Sequence, residues 1–419
     1  MASDDYGLAL DLWQRGAPDR AGNAVRRLLA ADPASADGHQ LLGAILMQQR
    51  RYAAARASLR RATLIAPEDA VHHANLAGAL ARDDLEARRA EQGFRRALAC
   101  RPDFAEAQLS YGNMLRRGGR WADALPLHSR ATRCRPGFAP ALAALGRSLL
   151  ALGCQDDGWA AIEAGLYGEH ASRLPETFWR GEPVDGRTVL VHGAEHVWET
   201  LLLARYLPCL ARRGATVIVH LPDGWAPLAA VIGRIAGVRR VLVGAAPAPA
   251  FDVHVPFAAL PHRFGASHEP AFAIPGPGRA DSAPAARPGR VGLAWRADTP
   301  STDRGASALE LAPLLAVPGI EWTSLRLGGN GLDGLDEIAA AMPSLDLVIA
   351  ADDTMAHLAG ALGVLTWVLL AHAAEWCWMT DREDSPWYPA LHLFRQPAPG
   401  DWATPVHRMA AELETLFVM

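Results

Sequence analysis

The segment Leu345–Gly363, LDLVIAADDTMAHLAGALG, contains an apolar run, a polar turn and a run of small residues. Leu345–Ala350 is typical of a buried strand in a parallel sheet. Met355–Leu362 is typical of a helix that packs closely on a sheet, and a second apolar run, Leu365–Leu370, follows it. Strand, turn, helix and strand form one βαβ unit, so this segment predicts a parallel α/β sheet.

The polar turn of this unit, Asp352-Asp353-Thr354, lies where open α/β sheets bind ligands. It joins the carboxyl end of a strand to the amino end of a helix. Free backbone N–H groups and the helix dipole favour a phosphate at that point. The alternative, left equally open by this segment alone, is that Asp353 or Thr354 only caps the helix.

Alternating strand and helix patterns continue on both sides of this unit, from residue 186 onward. Further strands are predicted at Thr188–His192, Ala215–His220, Val238–Val243, Phe251–Val255, Arg290–Trp295 and Glu321–Leu327. Further helices are predicted at Thr200–Arg213, Trp225–Ala236, Ala308–Leu315, Leu335–Met342 and Trp402–Phe417. Residues 275–289 are rich in Pro, Gly and Ala, which is typical of a linker. The pattern therefore predicts two Rossmann-like α/β lobes, 186–274 and 290–419, with a cleft between them.

Residues 1–170 repeat with a period of about 34 residues. Prolines recur at Pro33, Pro67, Pro102 and Pro136, spaced 34, 35 and 34 residues apart. Small residues recur with them, at Gly43, Ala77, Gly112 and Gly146 in the first helix of each unit and at Ala21, Ala55, Ala90 and Ala124 in the second. The pattern resembles the tetratricopeptide repeat (TPR), a helix-turn-helix unit, and predicts an α-helical solenoid of about five units. The concave face of such a solenoid would bind a protein or peptide; dimerisation or a rigid spacer role is the alternative.

Composition favours a soluble globular protein and argues against several kinds of site. No apolar run reaches the roughly 20 residues needed to span a bilayer, and the N-terminus lacks a signal-peptide pattern, so a cytoplasmic location is expected. The net charge is −4 without a basic stripe, which argues against nucleic-acid binding. The five cysteines lack metal-ligand spacing, which predicts buried free thiols and no metal site. All 41 basic residues are arginine, which excludes a Schiff-base lysine and a Walker A lysine.

Three segments of the second part carry a family resemblance. DDTMAHLAGALG resembles the signature D-[TS]-x-x-x-H-L-A-[GA]-A-L-G of heptosyltransferase-like glycosyltransferases. GRTVLVHGAEHVWETLLLARYLP and DREDSPWYPALHLFRQPAPGDW are similar to the first βα unit and the C-terminal segment of relatives fused to tetratricopeptide repeats. The resemblance implies a two-lobed GT-B fold over 186–419 and metal-independent transfer of a sugar from a nucleotide sugar, with no other cofactor. It also implies an acceptor such as a protein, as in transferases acting on flagellin, or the lipopolysaccharide core.

The resemblance also implies roles for the turn and the helix quoted first. The donor diphosphate would lie on the second lobe. Thr354, Met355 and the neighbouring N–H groups would hold a phosphate at the helix N-terminus, with Asp353 shaping the turn. His357, one helical turn further on, would donate a hydrogen bond to the donor; packing of the helix is the alternative role for this histidine.

Basic and aromatic side chains near the ends of the other strands complete the predicted donor site. Arg296, Arg304 and Arg326 are candidates for neutralising the leaving diphosphate, and solvated loop arginines are the alternative. An aromatic cluster is predicted after the last core strand, formed by Trp376, Trp378, Trp387 and Tyr388. It would stack on a sugar or a nucleobase or, as the favoured interpretation of each residue, pack in the core.

The first lobe departs from the family pattern at the catalytic turn. Relatives have G-L-G-D-T there, and its Asp is the usual candidate base; the ungapped alignment gives His196-Val197-Trp198-Glu199-Thr200. Glu199 is therefore the candidate base, and His196, His192 and Glu195 are nearby alternatives. Both glycines are absent, and Trp198 would fill the space that they leave. Two hypotheses follow: an active glycosyltransferase, or a degenerate transferase domain kept as a binding module. A homo-oligomer is compatible with either.

Overall fold

The computed structural model describes residues 2–167, 177–193, 195–246, 249–265, 274, 288–295, 306–327 and 332–417. Within these ranges the chain forms a helical repeat domain followed by an α/β region with two parallel sheets. None of the helices in the described part of the chain is long and apolar enough to cross a membrane.

Ten antiparallel helices form the repeat domain, as the sequence predicted. They are α1 (Ala2–Gln14), α2 (Pro18–Ala31), α3 (Ala36–Gln48), α4 (Tyr52–Ile65), α5 (Ala70–Leu80), α6 (Ala87–Cys100), α7 (Ala105–Arg117), α8 (Trp121–Cys134), α9 (Ala139–Ala151) and α10 (Gln155–Tyr167). The recurring prolines lie in the turns after the even-numbered helices, where a residue without an N–H group is tolerated.

Small residues let the paired helices approach each other. A Cβ atom on Gly43 of α3 would lie 2.5 Å from Cγ of Leu59 on α4, and one on Gly112 of α7 would lie 2.4 Å from Nε2 of His128 on α8. Ala55 and Ala124, at the corresponding places in the second helices, are fully buried. The repeat spacing therefore marks helix crossings, because only small side chains fit there.

Two compact units, Met1–Ala144 and Leu145–Met419, make up the chain, and the boundary falls inside α9. The last helix, α10, consequently packs within the α/β unit. Its fully buried Trp159 lies with its ring centroid 5.3 Å from that of Trp376. Glu163, also on α10, forms an ion pair with Arg263.

The first sheet of the second unit has the strand order β3-β2-β1-β4 and is wholly parallel. Its strands are β1 (Thr188–His192), β2 (Thr216–Leu221), β3 (Val238–Val243) and β4 (Val253–Pro256). Its helices are α11 (Val197–Leu203), α12 (Leu207–Arg212), α13 (Ala226–Ile232) and α14 (Leu260–Phe264). The single helix predicted at Thr200–Arg213 is divided, since a 3₁₀ turn at Ala204–Tyr206 separates α11 from α12.

The second sheet has the strand order β6-β5-β7-β8-β9 and is also wholly parallel. Its strands are β5 (Gly289–Ala294), β6 (Ile320–Ser324), β7 (Leu347–Ala351), β8 (Thr366–Leu370) and β9 (Leu391–Arg395). Its helices are α15 (Ala312–Leu315), α16 (Leu335–Ala341), α17 (Thr354–Ala361) and α18 (Ala403–Phe417). Leu347 and Ile349 of β7 share a buried core with Met409 and Leu413 of α18.

Besides the divided helix, four sequence predictions need correction. The aromatic cluster does not follow the last core strand, because β9 comes after it in the chain. The helix predicted at Ala308–Leu315 is only four residues long, Ala312–Leu315. The sequence predicted that Gly289 ends the linker, but this residue is the first of strand β5. The remaining linker residues lie outside the described part, apart from residue 288. The thiols are not all buried: Cys100, Cys134 and Cys154 are exposed, because they lie at or just beyond helix ends.

Candidate functional site

Two helices, one from each sheet, pack against each other at the candidate site. α11 begins after the carboxyl end of β1, and α17 begins after the carboxyl end of β7. Both strands are internal to their sheets, so each helix starts at the edge where parallel α/β sheets bind ligands. The indole of Trp198 on α11 lies 5.2 Å, centroid to centroid, from the imidazole of His357 on α17.

The turn before α17 carries a side-chain cap. Asp353 is the N-cap residue and accepts a hydrogen bond from the backbone N–H of Met355 at 2.8 Å. This is the capping role that the sequence left as the alternative for Asp353. Thr354 is the first residue of α17 and is partly buried, and the side chain of Met355 is buried.

Asp352, just before the cap, fixes the loop that follows β8. One carboxylate oxygen accepts a hydrogen bond from Nε1 of Trp378 at 2.5 Å, and the other accepts one from the backbone N–H of Glu375 at 3.2 Å. Hydrogen bonds to an ionised carboxylate are stronger than neutral ones, so Asp352 ties the aromatic loop to the end of β7.

A cavity of ≈ 170 Å³ lies between these elements. It is lined by Trp198, Asp352, Asp353, Ala371, Ala373 and Glu375. Three carboxylates and one indole therefore face the same space, and none of the described lining residues is basic. In this arrangement the cavity favours positive rather than negative charge.

Glu199, the candidate base, lies one residue beyond Trp198 and is partly buried. Loss of hydration raises the pKa of Glu199, and the charges of Glu195 and Glu375 act in the same direction, while Arg147 and His196 oppose the shift. A carboxylate with a raised pKa is a stronger base, which is the property required of a residue that removes a proton from a hydroxyl group.

His196 precedes α11 and is exposed. Its ring stacks nearly parallel to that of Trp198, with 6.1 Å between centroids. Its backbone carbonyl accepts a hydrogen bond from the hydroxyl of Thr200 at 2.9 Å. The ring of His196 is thus held at the entrance to α11 by stacking.

His357 is buried and makes contacts within the protein. Nδ1 lies 3.2 Å from the hydroxyl of Tyr388, and Nε2 lies 3.9 Å from Sγ of Cys377. Burial lowers the pKa of His357 to about 3, and Arg205 adds to the effect. The imidazole is therefore neutral at pH 7 and matches the packing role that the sequence gave as its alternative.

The predicted donor-site arginines do not line this cavity where they are described. Arg326 is exposed in the loop after β6. Arg296 and Arg304 lie outside the described residues. Their part in neutralising a diphosphate remains a prediction.

The aromatic cluster forms part of the core. Its four residues, Trp376, Trp378, Trp387 and Tyr388, are all buried. Arg205 is also buried and donates hydrogen bonds to the carbonyl oxygens of Trp387 and Leu202. Its guanidinium carbon lies 5.3 Å from the centroid of Tyr388. Nothing in the local sequence singled out Arg205, because its partner Trp387 is 182 residues away in the chain.

A second cavity, of ≈ 650 Å³, lies on the first sheet and contains three histidines. Nε2 of His192 lies 2.9 Å from Nδ1 of His254, and Nε2 of His220 donates to the carbonyl of Gly244 at 2.7 Å. Burial lowers the pKa of His192 to about 4 and also lowers that of His254. No group of three potential ligands suited to a metal ion occurs in the described ranges. The sequence could have identified His220 and His254 as residues of this cavity, because each is a polar residue within a predicted strand.

Parts of this chain are similar to known families and proteins. Tetratricopeptide repeat models match residues 12–80 and 75–139. The protein FlbA of Caulobacter vibrioides is 26% identical over 327 residues, which is 63% of this chain and 53% of FlbA, so the chain spans about half the length of this relative.

Solved structures with partial similarity include MamA, at 22% identity over 39% of this chain and 96% of MamA, with a TM-score of 0.35. They also include the Pseudomonas aeruginosa protein pilF, at 17% identity over 51% of this chain and 85% of pilF, with a TM-score of 0.40. Because the repeat models match residues 12–80 and 75–139, the N-terminal helical domain is a tetratricopeptide-repeat domain, and an α/β region with two parallel sheets follows it.

Proposed function

We propose that the α/β region is a metal-independent GT-B-type glycosyltransferase and that the repeats bind its protein acceptor. The resemblance to heptosyltransferase-like enzymes suggests a nucleotide sugar as donor. The observation that carries the proposal is the packing of α11, which carries Glu199, against α17, which begins at the predicted phosphate turn. A cytoplasmic location belongs to the proposal and agrees with five free cysteines.

In the proposed reaction, Glu199 takes the proton from an acceptor hydroxyl group. The hydroxyl oxygen then forms a bond to the anomeric carbon of the sugar, while the bond between that carbon and the diphosphate oxygen breaks. The nucleoside diphosphate leaves with the bonding electrons. Its charge would be stabilised by the amino end of α17 and by arginines such as Arg326.

The cavity between the two helices must change before a diphosphate can bind there. Trp198 lies against His357, and three carboxylates face the space that an anionic donor would enter. Movement of Trp198 would open this space, and arginine side chains would have to offset the carboxylates.

The contact between Trp198 and His357 favours a second candidate function, a binding module without turnover. The heptosyltransferase-like pattern has a glycine at the position of Trp198. An indole between the two helices would hold the two lobes together and prevent the cleft from opening. This candidate keeps the protein-binding role of the repeats and requires no sugar transfer.

Donor hydrolysis by the full-length protein would distinguish the two functions. The protein is incubated with UDP-, GDP-, ADP- and CMP-linked sugars, and the released nucleotide is measured. The transferase proposal expects slow release from one donor and a loss of about 100-fold or more in Glu199→Gln. The control variant Glu337→Gln, at an exposed position on α16, should keep the rate. No release from any donor would support the binding module instead, whereas release at equal rates by both variants would show that Glu199 is not the base.

A further inference from the structure

A groove of ≈ 440 Å³ lies on the repeat domain, between α2, α3 and α4. We call it the repeat groove. It is lined by Arg26, His39, Leu42, Leu46, Arg51, Ala54, Ala57, Ser58 and Arg61. All of these residues belong to the first two repeats, so the groove is a property of the N-terminal unit.

The rim of the repeat groove is basic. Arg26, Arg51 and Arg61 are exposed, and within the described ranges no carboxylate forms an ion pair with any of them. The surrounding sequence, residues 20–66, contains eight arginines and only two aspartates. Three guanidinium groups around one opening favour an anionic partner.

The floor of the repeat groove is apolar. It is formed by Leu42 and Leu46 of α3 and by Ala54 and Ala57 of α4. The hydroxyl of Ser58 donates to the carbonyl of His39 at 3.0 Å, so this polar group is already satisfied. The floor thus offers apolar contacts to a short side chain, whereas the rim offers charge.

We propose that the repeat groove binds an acidic peptide segment of a partner protein, with an aliphatic side chain on the apolar floor and carboxylates at Arg26, Arg51 and Arg61. A nucleic acid fits less well, because none of the lining residues is an aromatic that would stack on a base. This inference rests on the protein-binding role that the proposed function gives to the repeats, but it requires neither a donor nor Glu199, so its test is separate from that of the sugar transfer.

Fluorescence anisotropy with the full-length protein tests the proposal. The probe is a fluorescein-labelled peptide of glutamates interrupted by two leucines, and its affinity should fall with added salt. Reversing the rim charges in Arg26→Glu/Arg51→Glu/Arg61→Glu should weaken binding about tenfold or more. The matched variant Arg20→Glu/Arg27→Glu/Arg60→Glu changes the net charge equally at exposed positions outside the groove, and should change the affinity less than about threefold.

A variant that fills the repeat groove distinguishes the contribution of the apolar floor to peptide binding from that of the arginines. Ala57 is exposed, so Ala57→Trp should fold and should block the floor while leaving every arginine in place. It should weaken binding of the leucine-containing peptide but not of a peptide with serine in place of leucine. The proposal is overturned if wild-type protein does not bind the probe, if both triple variants lose affinity equally, or if a single-stranded oligonucleotide binds more tightly than the peptide.

Discussion

The indole of Trp198 lies 5.2 Å, centroid to centroid, from the imidazole of His357 and 5.9 Å from the indole of Trp376. Trp198 lies on α11, which follows β1 of the first sheet. Its two partners lie on α17 and in the loop after β8, which belong to the part of the chain that forms the second sheet. The side chain therefore joins the two halves of the α/β unit at the point where each would contact a ligand. Trp198 also lines the cavity beside Asp353, so we expect its position to control whether that cavity admits a large anion.

Replacing Trp198 should lower the stability of the folded protein and open the cavity that its indole lines. Trp198→Ala removes apolar contacts from a partly buried position, so we expect the free energy of unfolding to fall by about 1–3 kcal/mol. If the site binds a nucleotide, the variant should bind UDP or GDP more tightly than the wild type in calorimetric titrations. Trp322→Ala, on the edge strand β6 and away from the cavity, is the control. Equal affinity in wild type and Trp198→Ala would contradict the view that this indole blocks the site.

Glu199 should destabilise the folded protein at neutral pH. Burial raises its pKa above the unfolded value, so ionisation favours the unfolded chain once the pH exceeds about 4.3. Glu199→Gln should therefore increase the free energy of unfolding at pH 7, and the difference should vanish below about pH 4, where the wild-type carboxyl is protonated. Urea unfolding at both pH values measures this. A Glu199→Gln variant less stable than the wild type at pH 7 would show that other groups in the folded protein stabilise the charge of Glu199.

His357 should make the second unit sensitive to acid. Its folded pKa is about 3, whereas an unfolded histidine titrates near 6.5, so the unfolded chain takes up the proton first. Stability is expected to fall by about 1.4 kcal/mol per pH unit below about pH 6.5 from this group alone. His357→Gln should remove that part of the slope between pH 6.5 and 5 in urea unfolding followed by tryptophan fluorescence. His407→Gln, at an exposed position on α18, should retain the wild-type slope.

Gly43 should not tolerate a larger side chain. A methyl group there would lie 2.5 Å from Cγ of Leu59, so Gly43→Ala should destabilise the repeat domain by about 1–3 kcal/mol. Gly78, inside α5, has no atom within 4 Å of an added Cβ. Gly78→Ala should therefore stabilise the domain by up to about 1 kcal/mol, because alanine favours a helix. Thermal unfolding of both variants gives the comparison, and equal shifts would refute the helix-crossing explanation.

The thiols should fall into two classes. Cys100, Cys134 and Cys154 are exposed, whereas Cys209 and Cys377 are buried. Burial raises the pKa of the Cys377 thiol well above its usual range, and Asp352 and Glu375 add to the shift. An aromatic disulfide reagent should therefore react quickly with three thiols in the native protein and with all five in urea. Rapid reaction of a fourth native thiol would show that one of the buried cysteines is accessible.

Local patterns in the sequence determined the two kinds of architecture. The 34-residue spacing of prolines and small residues predicted the helical pairs, because each helix crossing needs a small side chain at Gly43, Gly112 or their equivalents. Apolar runs followed by small-residue helices predicted the parallel sheets around Leu347–Ala351. Strand β9 was missed, because prolines lie close on both sides of its five residues, at Pro386, Pro389, Pro397 and Pro399, and such prolines indicate a loop.

The tertiary structure alone decided what surrounds the candidate residues. Sequence placed His357 one turn into a helix, but only packing with Trp198 and Tyr388 made it buried and neutral. His192 and His254 are 62 residues apart, and the parallel pairing of β1 with β4 brings their rings within hydrogen-bonding distance. Local periodicity reports which face of an element is buried, whereas the partners on that face depend on strand order and on contacts between distant segments.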